Sequence, residues 1–217
     1  MAKIINNVIL TVVIIVARIR RFFILQSTKK ERNGNMKITY ITGNKAKVGL
    51  AKQFLGPLGF EIDNKKIECP EIQADTFEEV SKFSSKYASD LLKCDVLKND
   101  SGLVVEALNG FPGVYTHYVE DSIGEDGILK LMEGKDNRRA YFIECLSYCK
   151  YGEEPVCFYS KTYGEIAYKK SGTEGWSYDF IFIPKGEEQT LACFNDEKRY
   201  SFWDNSAYLE LAKYLRK

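Results

Sequence analysis

Histidine is almost absent from this chain: His117 is the single one among 217 residues. Its scarcity excludes a histidine-rich zinc site and argues against Ser-His-Asp or Cys-His catalysis. His117 lies in an aromatic turn, Tyr115–Tyr118, and we assign it no role. The chain also lacks a Walker A phosphate loop, in which two glycines flank four residues before Lys-Ser/Thr.

Closely spaced cysteine pairs are missing as well. The six cysteines form neither a CxxC motif nor a dense framework. This spacing is typical of buried free thiols in a reducing compartment rather than of a disulfide-bonded secreted domain. We therefore expect a cytoplasmic protein.

No apolar run reaches the length of about 20 residues that a membrane-spanning helix needs. Val8–Ala17 has ten residues, and most of the nearby basic residues follow it, whereas a cleaved signal peptide carries its charges first. We expect residues 1–35 to be an N-terminal extension outside the fold, with a misassigned start codon as one explanation. A weak membrane anchor is the alternative, and a membrane-associated interaction protein built around this segment is a further class.

Charge is divided unevenly along the chain. Residues 1–35 carry a net charge of +6, which leaves −5 for residues 36–217. An acidic body is a poor candidate for binding nucleic acid, because that affinity comes largely from neutralising phosphates. A small anionic substrate is compatible with it, since a few local cations and a metal can hold one.

Residues 36–217 have the patterns of one α/β domain. Helical spacing predicts helices over Phe77–Leu92 and Ser206–Leu215, and Thr76 with Glu79 can form a capping box. The shared apolar face of the first helix is predicted to consist of Phe77, Val80, Phe83, Tyr87 and Leu91. Helices and strands alternate early and strands cluster late, which favours a mixed sheet over a purely parallel one.

Three segments can carry chemistry. The first, Thr42-Gly43-Asn44-Lys45-Ala46-Lys47, stands between a predicted strand, Lys37–Ile41, and a helix. Glycine permits a tight backbone, free N–H groups at a helix start attract anions, and lysines add charge, so the segment predicts a phosphate cradle. An ordinary turn with solvated lysines is the alternative.

The second segment is Asn99-Asp100-Ser101-Gly102-Leu103. We expect a strand to end at Asp100 and another to run over Leu103–Leu108, so that the carboxylate projects at an edge of the sheet. A carboxylate there can bind Mg²⁺ and accept a proton from water. The alternative is an Asx turn. Glu71 is the natural second metal ligand, although an isolated glutamate is usually a surface residue.

The third segment, Trp176-Ser177-Tyr178-Asp179, combines two aromatic residues with an acid before a predicted strand, Phe180–Ile183. Aromatic rings can sandwich a nucleotide base, and a carboxylate can read its edge. Aromatic core packing is the alternative.

Taken in order, these segments resemble the inosine triphosphate pyrophosphatase family, the house-cleaning purine nucleoside triphosphate pyrophosphatases, and its archaeal branch in particular. The matching stretches are Ile41–Lys45, Pro70–Gln73, Asn99–Gly113, Gly127–Lys135, Ala140–Phe142 and Tyr178–Pro184. The resemblance implies a two-lobed α/β fold around an elongated mixed sheet with flanking helices, a nucleotide in the cleft between the lobes, and a homodimer. It also implies Mg²⁺-dependent hydrolysis of ITP, dITP and XTP to the monophosphate and pyrophosphate.

The resemblance also implies roles for individual residues. Asp100 would be the general base and, with Glu71, a metal ligand. The residues that would bind the triphosphate, or orient the loop that binds it, are Thr42, Gly43, Asn44, Lys45, Lys47 and Ser101. The base would stack on Trp176, in a pocket completed by Ser177, Tyr178, Asp179 and Lys198.

The chain departs from the family pattern at three places. Where the family has Ser-His-Arg to read the 6-keto edge of the purine, this chain has Ser201-Phe202-Trp203, followed by Asp204. Asn99 replaces the acid that commonly precedes the catalytic aspartate. The helix lysine that reaches the phosphates has only Lys86 or Ser84 as counterparts. The departures leave open a shifted base preference, or a nucleotide-binding protein without turnover.

Overall fold

The computed structural model describes residues 36–70 and 72–217. The first half contains β1 (Met36–Ile41), α1 (Lys45–Leu55), β2 (Phe60–Lys65), α2 (Phe77–Leu92), β3 (Val96–Val105), α3 (Thr116–Ser122) and α4 (Gly124–Leu131). The second half contains β4 (Arg139–Cys149), β5 (Val156–Ile166), β6 (Phe182–Pro184), α5 (Asp196–Ser201) and α6 (Ser206–Leu215). The predicted extension, residues 1–35, lies outside the described residues.

The strands form one six-stranded sheet in the order β2-β1-β3-β4-β5-β6. β1 and β3 are parallel, with Tyr40 opposite Leu97. The pairs β3–β4, β4–β5 and β5–β6 are antiparallel. The prediction of a mixed sheet with flanking helices is therefore confirmed.

Two large hydrophobic clusters stabilise the domain. The first packs α1 and α6 on the sheet around Tyr40, Leu97 and Tyr208. The second contains Leu103 and Phe182 together with side chains of α3 and α4. A cavity among the described residues is lined by residues that follow β1 and by residues beside the second cluster, as expected for a cleft between two lobes.

The start of α2 agrees with its predicted capping box. Thr76 Oγ1 accepts a hydrogen bond from the Glu79 backbone N–H at 3.2 Å, and Glu79 Oε2 accepts one from the Thr76 backbone N–H at 3.1 Å. These bonds satisfy donors that the first helical turn leaves unpaired.

The apolar face predicted for α2 is buried at Phe77 but not along the rest of the helix. Phe83, Tyr87 and Leu91 are 39%, 37% and 57% exposed, while a face of serine and alanine packs on the sheet. Small side chains let the helix approach closely, and the serine hydroxyls are satisfied there. Ser81 Oγ donates to the Cys145 carbonyl at 3.0 Å, and Ser85 Oγ lies 2.7 Å from Ser147 Oγ, also on the sheet.

The break predicted in the strand at Asp100 is also wrong. β3 runs without interruption from Val96 to Val105, with Asp100 opposite Cys145 of β4. The antiparallel pairing with β4 holds the strand extended throughout, so no second strand begins at Leu103. β1 ends at Ile41, well before β3 does, and the carboxylate thus lies beyond the end of a neighbouring strand rather than at the end of its own.

Two smaller expectations have different outcomes. The strand predicted over Phe180–Ile183 is wrong in its first part, because Ser177–Phe180 is a 3₁₀ turn and β6 begins only at Phe182. All six cysteines, which fall within the described residues, have free thiols, as expected, but only Cys145 and Cys149 are buried and Cys193 is exposed. In residues 36–70 and 72–217, no helix has both the length and the apolar character needed to cross a membrane.

Candidate active site

A cavity of about 1260 Å³ brings the three predicted segments together. Its wall includes the following predicted residues: Thr42, Gly43, Asn44, Lys47, Asp100, Ser101, Trp176, Ser177, Tyr178 and Asp179. Segments separated by more than 130 positions in the sequence thus share one site. Its wall offers both cationic and anionic side chains, as a charged ligand with a metal requires.

Asn44 is the N-cap of α1. Its Oδ1 accepts hydrogen bonds from the backbone N–H groups of Ala46 and Lys47 at 2.8 and 3.3 Å. Two backbone N–H donors at the start of α1 are therefore already hydrogen-bonded within the protein. Gly43 does not adopt a positive φ, and a Cβ at Gly43 would meet only the flexible side chain of Lys66 at 3.5 Å. The tight backbone expected at this glycine is not required by the observed turn.

Lys47 is the cation that faces the predicted catalytic acid. Burial lowers the pKa of its ammonium, while the charges of Asp100 and Glu144 raise it and Lys98 lowers it. A partly desolvated ammonium is well suited to bind an anionic ligand, because its field is poorly screened there. Lys98 also lines the cavity and supplies a second cation.

Glu144 is a residue of the site that the sequence analysis missed. Its Oε1 accepts hydrogen bonds from Asn99 Nδ2 at 2.6 Å and from the Tyr208 hydroxyl at 2.9 Å. Burial raises the pKa of this carboxyl, and the hydrogen bond from Tyr208 and the charge of Lys47 oppose that rise. The only sign of this residue in the sequence is that it is a single acid inside an apolar strand, β4. Its hydrogen-bond partners come from β3 and α6, which are distant in the sequence.

The described residues offer oxygen ligands that suit magnesium. Asp100 and Glu144 line the cavity, and Mg²⁺ usually binds through one or two carboxylates together with phosphates of the substrate. Glu71, the predicted second ligand, lies outside the described residues. Among those that are described, no three histidine, cysteine or acidic side chains form a metal-binding group. The donor set therefore fits a metal that is shared with a phosphate ligand.

The aromatic segment divides between cavity wall and core. Trp176 is half exposed, as a stacking platform needs to be. Tyr178 is 3% exposed, and its hydroxyl donates to the Thr116 carbonyl at 3.2 Å, so this ring belongs to the packed core. Ser177 has a φ of 53°, and its buried Oγ has no hydrogen-bond partner among the described residues.

Asp179 is a buried carboxyl beside an arginine. Its Oδ2 accepts from the Trp176 backbone N–H at 3.3 Å and lies 3.7 Å from Arg199 Nε. Burial raises its pKa to about 6, against the opposing effects of the Trp176 N–H and of Arg199, and the charges of Glu120 and Asp196 add to the rise. Arg199 itself is 5% exposed and was not anticipated from the sequence.

The raised pKa of Asp179 predicts a pH-dependent stability. The folded protein binds this proton more tightly than the unfolded chain, so the contribution is fully present below pH 4 and is lost as pH rises through about 6. Asp179→Asn removes this dependence. Its free energy of unfolding relative to the unaltered protein should increase by about 2 kcal/mol between pH 4 and pH 7. Urea unfolding at both pH values measures it, and a constant difference would contradict the prediction.

A sequence model of the Ham1 family matches residues 38–204. The chain belongs to the Ham1 family. The dITP/XTP pyrophosphatase of Methanopyrus kandleri is 43% identical over 175 residues, which cover 81% of this chain and 93% of the relative. That of Pyrococcus horikoshii is 44% identical over 164 residues, 76% of this chain and 88% of the relative. The resemblance stated above is thereby confirmed, and so is the expectation of a hydrolase.

Solved structures of the Ham1 family agree with the fold. The Ham1 protein of Staphylococcus aureus gives a TM-score of 0.70 at 26% identity, over 83% of this chain and 98% of its own. A Mycobacterium abscessus nucleoside-triphosphatase / dITP/XTP pyrophosphatase gives 0.64 at 25% identity, over 84% of this chain and 99% of its own. Both comparisons confirm the α/β fold with a mixed sheet.

Two lysines expected to bind the substrate do not line the cavity formed by the described residues. Lys45 is exposed at the first position of α1, and Lys198 Nζ lies 3.3 Å from Glu187 Oε1 and over the ring of Phe202. Of the two candidates for the helix lysine of the Ham1 family, Lys86 pairs with Asp90 at 3.2 Å and only Ser84 reaches the wall.

The residues in place of Ser-His-Arg have packing roles. The ring of Trp203 packs edge-on against Phe142, with centroids 5.1 Å apart, and the ring of Phe202 packs likewise against Phe194. Asp204 accepts hydrogen bonds from the backbone N–H groups of Lys161 and Ser206. None of these three residues presents a charged hydrogen-bond donor to the keto edge of a purine.

Proposed function

We propose that this chain hydrolyses non-standard purine nucleoside triphosphates, dITP, ITP and XTP, to the monophosphate and pyrophosphate. The observation that carries the proposal is the meeting of Asp100, Lys47 and Trp176 in one cavity. Acid, cation and aromatic platform are what a nucleoside triphosphate requires. The names of the two archaeal relatives support the choice of base.

In the proposed reaction, Asp100 accepts a proton from a water molecule as the oxygen of that water bonds to the α-phosphorus. The bond from the α-phosphorus to the bridging oxygen breaks, and pyrophosphate leaves with that oxygen. Lys47 offsets the negative charge that develops on the leaving group, which is the main requirement of phosphoryl transfer. Bound Mg²⁺, held by Asp100 and Glu71 with Glu144 nearby, would add charge neutralisation of the same kind.

The setting of the enzyme belongs to the same proposal. We infer a cytoplasmic homodimer from the family resemblance and from the cysteine pattern. Light scattering on the purified full-length chain measures the mass. A monomer at micromolar concentration would contradict the dimer and leave the proposed chemistry unaffected.

Two further functions are supported by particular observations. The apolar side chains of Phe202 and Trp203 favour the same hydrolysis with a shifted base preference. Asn99, which donates a hydrogen bond to Glu144 Oε1, stands where an acid was expected before the catalytic aspartate, and the loss of that charge favours nucleotide binding without turnover. Magnesium-dependent release of pyrophosphate separates the second of these from the main proposal.

The deciding experiment offers ITP, XTP, dITP, GTP, ATP and UTP separately to the full-length chain with Mg²⁺ and quantifies monophosphate and pyrophosphate. We expect the first three to be hydrolysed at least about 10-fold more efficiently than the others, because a site that binds one base edge leaves polar groups unpaired with another. Chelation of the metal should abolish release. Equal rates for all bases would support the shifted preference, and no pyrophosphate from any substrate would overturn the enzyme.

A further inference from the structure

One buried cation in the cavity wall has no role in the chemistry proposed so far. Arg199 lies in α5 and is 5% exposed. Its Nε lies 3.7 Å from Asp179 Oδ2, and its Nη2 is paired with Asp196. Its Nη1 is buried and finds no acceptor within residues 36–70 and 72–217. Buried polar groups are nearly always hydrogen-bonded, so a free donor beside a ligand cavity indicates an acceptor on the ligand.

The position of Nη1 places it at the base end of the cavity. A Cβ built on Gly175 would lie 3.0 Å from Arg199 Nη1 and 2.2 Å from Asp179 Oδ2. The guanidinium therefore lies against the backbone immediately before Trp176, the exposed ring that we expect to stack on the base. Gly175, with a φ of 76°, keeps this approach open.

A second unpaired group occurs in the same segment. The buried Oγ of Ser177 has no hydrogen-bond partner among the residues that the structure describes. The backbone of Ser177 also has a positive φ, which residues other than glycine rarely adopt. Such strain is retained where the surroundings fix it, commonly at ligand sites. Two unsatisfied polar groups next to one exposed tryptophan form a recognition surface for a polar ring edge.

The donor character of Arg199 selects the kind of base. A guanidinium donates hydrogen bonds and cannot accept them. Purines with a 6-keto group present two acceptors, O6 and N7, on one edge, whereas adenine presents an acceptor and an amino donor there. A buried guanidinium nitrogen is therefore complementary to a keto purine and repels the amino group of adenine.

Resting on the function proposed above, we propose that Arg199 reads the 6-keto oxygen of the purine through Nη1. It supplies, three residues before Phe202, the charged contact that Phe202 and Trp203 cannot make. Ser177 Oγ provides a further hydrogen bond to the same base. The ion pairs to Asp179 and Asp196 hold the guanidinium in place, and the chain keeps its selectivity against adenine without a His-Arg pair.

The first test uses the unaltered full-length protein and nucleotides that it does not hydrolyse. Inosine monophosphate and purine riboside monophosphate differ in the 6-keto group, and titration calorimetry with Mg²⁺ compares their affinities. We expect inosine monophosphate to bind about 10- to 100-fold more tightly, the range for a hydrogen bond to a charged donor. Equal affinities would overturn the proposal, whatever any variant does.

The second test uses variants of the arginine. Arg199→Met should bind both nucleotides equally, and Arg139→Met, a matched change at an exposed arginine paired with Glu106, should keep the preference. A purely structural arginine would instead weaken the binding of both nucleotides by the same factor in Arg199→Met, and that result would refute the reading role.

Failure of this inference and failure of the proposed function have different signatures. If the protein releases pyrophosphate from ITP but does not distinguish the two monophosphates, the hydrolase stands and Arg199 has no part in reading the base. If no triphosphate is hydrolysed, the proposed function fails, and the binding comparison still decides whether Arg199 recognises the keto group.

Discussion

Asp100→Asn should lower the kcat for pyrophosphate release from ITP by about 10³-fold or more, the largest effect that we expect from one substitution. Asparagine has nearly the same shape but cannot accept the proton of the attacking water, and it is a poorer metal ligand. Asp100 lies in the middle of β3, paired with Cys145 of β4, so the strand should keep its position. Single-turnover assays with Mg²⁺ measure the rate of the chemical step.

Two measurements separate a chemical effect from a structural one. The urea midpoint of Asp100→Asn should match that of the unaltered protein, and inosine monophosphate should bind to both with similar affinity in the absence of metal. A variant that retains more than about a tenth of the rate would show that another group accepts the proton, since general-base catalysis contributes 10²- to 10⁴-fold. Glu144 would then be the first candidate.

The sequence predicts which segments form the site more securely than it predicts how each residue is used. Asn44 illustrates the difference. The residues Thr42 to Lys47 were expected to hold phosphate at a helix start, and all of them except Lys45 line the cavity. The side chain of Asn44, however, caps α1, because its Oδ1 accepts a hydrogen bond from the Ala46 backbone N–H. A Gly-Asn turn before a helix satisfies the requirements of a helix cap and those of an anion site equally well, and only coordinates separate the two.

Burial of α2 was mispredicted for a related reason. Apolar spacing identifies the helix, and its bounds, Phe77–Leu92, are confirmed. It does not identify the buried face when a stripe of small residues runs beside a stripe of aromatic ones. Serines such as Ser85, whose Oγ lies 2.7 Å from Ser147 Oγ, can be buried because hydrogen bonds to the sheet satisfy their hydroxyls. Burial of such a serine can be predicted only when its partner is known. Those partners lie about 60 positions away.

Long-range pairing also explains why Glu144 and Arg199 were missed. Glu144 is an isolated charge in an apolar strand and Arg199 belongs to the charged run Asp196–Arg199, and charges of both kinds are usually solvated. Glu144 becomes a member of the site because β4 pairs with β3 and brings it to Asn99. Arg199 becomes one because α5 packs beside the turn that carries Asp179. A contact between residues far apart in one sequence leaves no local pattern to read.

Lys47→Met should lower kcat/KM for ITP by about 10²- to 10³-fold, the cost of removing one preorganised charge from a developing anion. The charges of Asp100 and Glu144 act on this ammonium, and its partial burial leaves its field poorly screened. Methionine keeps most of the volume, so the first turn of α1 should remain folded. Lys45→Met is the matched control, because Lys45 belongs to the same turn but is exposed and does not line the cavity.

The pair of lysines decides between two origins of phosphate binding. If the general positive charge of the turn attracts the nucleotide, both variants should lose affinity to a similar, small extent, and added salt should reduce the difference from the unaltered protein. If one desolvated ammonium contacts the triphosphate, only Lys47→Met should lose affinity for the nucleotide, and salt should have little effect on that loss. Steady-state kinetics of both variants at low and high ionic strength distinguishes these outcomes. A loss of less than about 5-fold in Lys47→Met would remove Lys47 from the proposed mechanism and make Lys98, on the same wall, the cation to test next.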